Sequence, residues 1–377
     1  MALKLVGVVD EEPFDPRTWS GTSAYFFGAL KQRGVLHDAV SALPSKAVRR
    51  FYQLLSFQTE MRRWKFKYHL NLGYYRQMTR AAKRKIANIN GDAYQVIVQV
   101  GAWYDMTNYK DKRVVSYHDG NLATLLRSPY GYPSIGDRHI HRALTYERDL
   151  YHCIDLIFPM SKWLAGSFIK DNGVSPRKVF PIGAGINLPY VRNATSKSYD
   201  APRILFVGRD FSRKGGKDLL EAFRQVRMEL KDAELTIIGP HLVSPPAGVR
   251  CVGFLSKTSQ EDLERLLDEY QRATLFVMPS LYEPFGIAFA EAMAHKLPCI
   301  GTNICAMPEI IDNGQTGYLV PPGAPAALAE RIVTLLKDPA MCREFGEQAY
   351  HKYQQQFTWQ VVVERMYEVI TTEFGRY

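Results

Sequence analysis

Four apolar residues, 275–278, lead into Pro279-Ser280-Leu281-Tyr282-Glu283-Pro284-Phe285-Gly286 and then into the small-residue stretch Ile287-Ala288-Phe289-Ala290-Glu291-Ala292-Met293-Ala294. No other feature constrains the fold of this chain as much. The first run predicts a buried strand, the Pro-Phe-Gly turn a loop, and the last stretch a helix. A parallel strand that hands its loop to a helix N-terminus is where α/β folds hold phosphorylated ligands. Glu283 on the loop and Glu291 on the helix can grip a sugar and a ribose hydroxyl there. Their interval alone carries little weight. Glu221/Glu229 and Glu261/Glu269 repeat it inside amphipathic helices, where solvated helix-face charges explain it. Context sets the pair at 283 and 291 apart.

Along its length the chain alternates apolar runs with helical periodicity, which predicts parallel sheets with crossover helices, an α/β architecture. Residues 4–9, 95–100, 113–117 and 156–159 read as strands in the first half. In the second half 204–207, 235–238 and a short stretch near Val252 do so. Between them Leu219, Leu220, Phe223, Val226 and Leu230 fall at helical spacing. The polar stretch 192–200 reads as a linker, and a final helix follows Phe357-Thr358-Trp359 with Val362, Met366, Val369 and Ile370. A length of 377 residues suits two domains of ordinary size.

The five cysteines form no C-x-x-C pair, which predicts reduced, mostly buried thiols in a cytoplasmic protein. Cys299 and Cys305 read as core residues rather than a metal pair. The N-terminal apolar stretch ends at Asp10, too short for a leader peptide, and no run approaches a membrane span. Two near-motifs are decoys. Gly183-Ala184-Gly185 lacks the third glycine of a dinucleotide fingerprint, and Gly216-Lys217 is followed by Asp218 where a P-loop needs Ser or Thr. No Asp-x-Asp occurs, so no metal site of that type is expected.

Charge is uneven. The chain carries +10 overall, and residues 45–85 hold twelve Lys and Arg against Glu60 alone, interleaved with aromatics such as Phe51, Phe57, Trp64 and Tyr74. Two readings stand side by side for this segment. It is a helical pair with aromatics facing the core and cations in solvent, or a surface for an anionic membrane or acceptor. Nucleic acid is not an expected partner.

The run from Glu283-Pro284-Phe285-Gly286 to Glu291 resembles the acid-x7-acid signature of the retaining glycosyltransferases of family 4, which have the GT-B fold. Phe206-Val207-Gly208-Arg209 followed by Arg213-Lys214-Gly215 resembles that family's phosphate-gripping segment. The likeness continues through Pro308-Glu309-Ile310-Ile311 and Asn313-Gly314 to Gly317-Tyr318-Leu319-Val320-Pro321-Pro322-Gly323. It is close over residues 155–345 and weak in the first half.

The resemblance implies two Rossmann-like domains facing a central cleft. Residues 1–188, with a helix 357–377 crossing back, would hold the acceptor, and 189–356 the nucleotide sugar. It implies a metal-independent enzyme that moves a hexose from a nucleotide-diphosphate sugar, UDP-sugars foremost, with retention. The acceptor would be a glycan or lipid-linked molecule in envelope or polysaccharide synthesis, and the enzyme would work in the cytoplasm, at the inner membrane face if 45–85 binds lipid. Arg209 and Lys214 would stabilise the leaving diphosphate, with Gly208 and the backbone of Phe285, Gly286 and Ile287 completing the anion cradle. Glu291 would accept ribose hydroxyls, and Glu283 would face the donor sugar. In the family, retention is attributed to front-face attack, the leaving phosphate taking the acceptor's proton through an oxocarbenium-like transition state.

His118, with Asp119 beside it, ends a strand where the family often has a histidine near the donor sugar. Gly21, in Trp19-Ser20-Gly21-Thr22-Ser23, stands where the family has paired glycines. Glu309 matches a donor-binding position, Arg213 a less certain phosphate contact, and Ser161 and Lys162 a packing position. Two alternatives remain open: a small soluble acceptor, and a catalytically silent GT-B scaffold. The intact set of Arg209, Lys214, Glu283 and Glu291 argues against the second. A phosphorylase or epimerase on the same architecture is separated by its products.

Overall fold

The structure, a computed structural model, describes residues 3–128, 133–192 and 197–375. The chain divides into two units. One is formed by residues up to Gly183 together with those from Val362 on, the other by Ala184–Val361. The division thus falls at 183/184 rather than 188/189, and the last helix counts with the first unit from Val362 rather than 357. Of the expected linker 192–200, residues 193–196 lie outside the described residues.

The first unit is a five-stranded sheet of β1 (Leu5–Val9), β2 (Leu36–Ser41), β3 (Val96–Val100), β4 (Arg113–His118) and β5 (Leu156–Pro159). Its order is β2-β1-β3-β4-β5, with every neighbouring pair parallel. Helices cover both faces of a parallel sheet, so its strands are buried runs, as β1, β3 and β5 are along their whole length, apolar but for Gln99 in β3. At the edge, β2 is half polar, and the sequence reading passed over it. Buried Gln99 is satisfied within the core, its Nε2 donating to the carbonyls of Gly101 at 2.9 Å and Tyr104 at 3.1 Å.

The second unit holds β6 (Arg203–Val207), β7 (Glu234–Ile238), β8 (Val249–Gly253), β9 (Leu275–Val277), β10 (Cys299–Thr302) and β11 (Gly317–Val320). Their order, β11-β10-β9-β6-β7-β8, is wholly parallel. Two halves run outward from β6 and β9, so the strand order reverses between them. Ligands of doubly wound sheets bind outside the carboxyl ends of strands at such a reversal. The corresponding reversal in the first unit lies between β1 and β3.

Helix Trp359–Phe374 contributes to both units. At its start Trp359 covers Gly185, where a Cβ would stand 2.5 Å from the indole, and donates Nε1 to the Ile186 carbonyl at 2.9 Å. Further on, Glu364 takes two 2.7 Å bonds from the Arg33 guanidinium, and the Tyr367 hydroxyl donates to the Leu3 carbonyl at 3.2 Å.

All five thiols are free. Only Cys299 and Cys342 are buried; Cys251 and Cys305 are half-buried and Cys153 is exposed, so the expectation of mostly buried thiols holds for two. Among the described residues no helix is long and apolar enough to cross a membrane.

Candidate active site

In the second unit the strand-end loops of β6 and β9 meet at the reversal of strand order. After β6 the chain passes Gly208 and Arg209 into a turn in which Lys214 N donates to the Asp210 carbonyl at 3.0 Å. Gly208 and Gly239 are required for this approach. A Cβ on Gly208 would lie 2.2 Å from Lys214 Cδ, and one on Gly239 would lie 2.2 Å from the Gly208 carbonyl oxygen. Lys214 therefore lies flat across Gly208 and extends toward the β9 loop. The two loops are also tied by backbone, Leu281 N donating to the Arg213 carbonyl at 2.9 Å.

Glu283 sits where they converge, and only 9% of it is exposed. Its Oε2 lies 3.1 Å from Lys214 Nζ and 3.5 Å from an Arg213 guanidinium nitrogen. The same Arg213 nitrogen donates to the Tyr282 carbonyl at 2.6 Å. Arg213 also pairs with Asp210 at 3.4 Å, so two carboxylates hold Lys214 and Arg213 in place before any ligand arrives. Such preorganised charge suits a developing anion. Arg209 stands just beyond, exposed, its guanidinium 4.7 Å from the centre of the Phe254 ring.

Gly286, at φ 84°, is the left-handed residue that opens helix Ile287–Ala294 without a capping side chain. The first amides of the helix are thus left for an external acceptor. Phe285 turns its ring into the interior, 6.3 Å from that of Phe357, so its expected contribution to the cradle is backbone. Behind this turn Cys305 takes φ 49°, a strained value for a residue with a Cβ. It precedes helix Met307–Ile310, which carries half-buried Glu309 in its first turn. Met307 Cε stands 2.8 Å from where a Gly286 Cβ would be, so the helix that carries Glu309 packs by its first residue against the glycine turn.

Glu291 is 2% exposed and both its oxygens are engaged. Lys257 Nζ pairs with Oε1, and the Tyr270 hydroxyl donates to Oε2 at 3.2 Å. The Tyr270 ring stacks on His295 at 5.0 Å, and burial first, then Glu291, pushes its phenol well above the usual range. A ribose approaching Glu291 has to share or replace the Lys257 contact. Neither Lys257 nor Tyr270 was singled out from sequence, since each lies far from Glu291 along the chain and belongs to no local motif. Arg213, given less weight from sequence than Lys214, touches the same Glu283 oxygen.

The first unit places its candidates separately. Gly21, at φ 95°, caps helix Thr22–Gln32. Trp19 and Ser20 before it are also left-handed, at φ 51° and 55°. The Trp19 indole donates to Asp10 Oδ1 at 2.9 Å, and burial pushes the Asp10 carboxyl up to about 6. His118 ends β4 but is 1% exposed, its ring 5.4 Å from Tyr151 and 5.1 Å from Phe168. Its Nε2 is buried without a hydrogen-bond partner. Asp119, the next residue, is exposed. Ser161 caps helix Lys162–Lys170, accepting from Leu164 N at 3.1 Å.

Burial lowers the His118 pKa from 6.5 to about 3. Above pH 6.5 the ring is neutral both folded and unfolded. As pH falls from 6.5 toward about 3, the unfolded ring takes a proton that the folded one refuses, so stability drops across that window. Glu147 and Asp10, held up at about 7 and about 6, act with the opposite sign, so variant and parent must be compared. His118→Phe should flatten the acid fall in urea-unfolding stability; an unchanged slope would show that the ring is not buried in solution.

Residues 191–352 match the family described as Glycosyl transferases group 1. The N-acetyl-alpha-D-glucosaminyl L-malate synthase of Bacillus anthracis is 34% identical over 180 residues, which are 45% of each chain. The chain thus spans less than half the length of this relative. Sucrose-phosphate synthase from Thermosynechococcus elongatus superposes with a TM-score of 0.71 at 18% identity, covering 99% of this chain and 100% of its own. Anabaena HepE, solved in complex with UDP and glucose, gives 0.64 at 14%, covering 98% and 100%. The second unit is accordingly similar to the glycosyl transferases of group 1, in a chain with the GT-B fold.

Proposed function

We propose that this chain is a retaining hexosyltransferase that uses a nucleotide-diphosphate sugar, a UDP-sugar first, and a glycan or lipid-linked acceptor. The observation that carries the reading is the Lys214–Glu283–Arg213 cluster at the β6/β9 reversal, beside the uncapped helix start at Gly286. A glycosyl bond that breaks toward a diphosphate builds negative charge on the leaving oxygen. Lys214, Arg209 and the first amides of helix Ile287–Ala294 are the groups to receive it. Fixed cations do the work that a metal does at other sites, so transfer should persist in chelator.

Glu283 then faces the sugar, its carboxylate balancing positive charge that gathers on the anomeric carbon. Glu291 receives the ribose hydroxyls with Lys257 and Tyr270 orienting its two oxygens. UDP is favoured because HepE, of like fold, was solved with UDP and glucose. An envelope acceptor is favoured by the basic first unit.

Thermal unfolding with UDP, GDP and ADP and their hexose conjugates, in chelator, tests the reading. A ligand at a hundredfold its Kd adds about 2.7 kcal/mol and should raise Tm by several degrees. One base should do so selectively, and Glu291→Ala should remove the shift. No shift with any nucleotide would overturn the donor site in favour of a scaffold role.

A further inference from the structure

Helix Lys46–Leu55 contains no buried residue, although Ala47, Val48, Phe51, Tyr52, Leu54 and Leu55 fall in one continuous sector. The structure divides that sector. Tyr52 turns inward, its ring 5.8 Å from Tyr74 and 2.8 Å from where a Gly73 Cβ would stand. Phe51, Leu54 and Leu55 turn outward, 59%, 72% and 59% exposed. Phe57 and Met61 follow at 57% and 56%, so half of the ten large exposed apolar residues among the described ones lie within 51–61. The core-facing reading of the basic segment therefore holds for Tyr52 and not for Phe51, Leu54 and Leu55.

This crown is held rather than loose. Trp64 Nε1 donates to the Gln53 carbonyl at 2.7 Å, Asn71 Nδ2 to Ser56 Oγ at 3.2 Å, and the Phe57 and Trp64 rings meet edge-on at 5.5 Å. Cations ring it: Lys46, Arg50, Arg62 and Lys65 are exposed and make no ion pair among the described residues, while Arg63 pairs with Glu60 at 2.9 Å.

We propose that this crown is a docking surface for an anionic lipid bilayer. Phe51, Leu54, Leu55 and Phe57 enter the boundary between headgroups and acyl chains, and Lys46, Arg50, Arg62 and Lys65 meet lipid phosphates. An acidic glycan would take the cations and leave the apolar crown in water. A second copy of this chain would bury the crown but set like charges face to face across a two-fold contact. Only an interface that is apolar within and anionic at its rim satisfies both sets of side chains. The inference deepens the reading of a lipid-linked acceptor and does not rest on the donor chemistry.

Flotation of the full chain with phosphatidylcholine vesicles, with and without phosphatidylglycerol, tests it. The chain should float with the anionic vesicles and be released by salt. Phe51→Ser/Leu54→Ser/Leu55→Ser and, separately, Arg50→Glu/Arg62→Glu should each weaken binding at least about tenfold at unchanged melting temperature. Equal binding to neutral vesicles, undiminished binding by the triple variant, or retention on an acidic polysaccharide without flotation would overturn it. So would a dimer in light scattering that the triple variant abolishes while vesicles are ignored. The nucleotide-induced shift of Tm is read on the same preparations, so failure of the donor reading shows up separately from failure of docking.

Discussion

Glu283→Gln and Lys214→Met should each lower sugar transfer by about 10²–10³-fold, the usual loss for one preorganised charge at a developing ion. They should part company in binding. Lys214→Met removes the cation nearest Glu283, so UDP affinity falls together with turnover. Glu283→Gln leaves Lys214 and Arg213 without their shared anion. The cluster becomes more positive, and UDP should bind as tightly as before or more so, although transfer is lost. Calorimetry with UDP alongside product formation reads both quantities. A parallel loss of UDP affinity in Glu283→Gln would mean that the carboxylate only braces the cations. Normal transfer by either variant would remove these residues from the site.

Gly215→Ala should destabilise the second unit by about 3 kcal/mol or more, one of the larger effects open to a single methyl. Gly215 has φ 72°, and a Cβ there would stand 1.8 Å from the Pro279 carbonyl oxygen, backbone that cannot swing aside. Gly314 supplies the control, with φ 79° and open space around the same methyl. Gly314→Ala should cost only about 1 kcal/mol, the left-handed strain alone. Urea unfolding of the two variants separates collision from strain. Equal losses would show that the loops after β6 and β9 do not touch as closely as described.

Much of this architecture was legible because parallel strands buried on both faces are unbroken apolar runs. Leu5–Val9 and Leu156–Pro159 announce themselves in that way, and Val96–Val100 does so with Gln99 as its one polar residue. Leu36–Ser41 does not, since an edge strand needs only half its side chains apolar and LHDAVS has a polar centre. Cys299–Thr302 and Gly317–Val320 are four residues each, too short for a periodicity to emerge. The site divides along the same line. Arg209, Lys214, Glu283 and Glu291 follow strands and open helices, so their roles leave a local trace. Lys257 and Tyr270 reach Glu291 across the fold, and nothing near them in sequence predicts the contact. In residues 45–85 the composition left two readings open, because which aromatic turns inward is decided by the neighbouring helix Leu72–Ala87 and not by the segment itself.

Helix Trp359–Phe374 has a consequence for the order of assembly on the ribosome. Its residues from Val362 on count with the first unit, so the second unit is an insertion within the first along the chain. The five-stranded sheet is synthesised early, yet Arg33 and the Leu3 carbonyl wait for Glu364 and Tyr367 until every residue of the inserted unit has emerged. The inserted unit, being contiguous, is free to fold as soon as it leaves the exit tunnel. The half begun first is therefore finished last, and chaperones would meet it with Arg33 and Leu3 still awaiting the final helix.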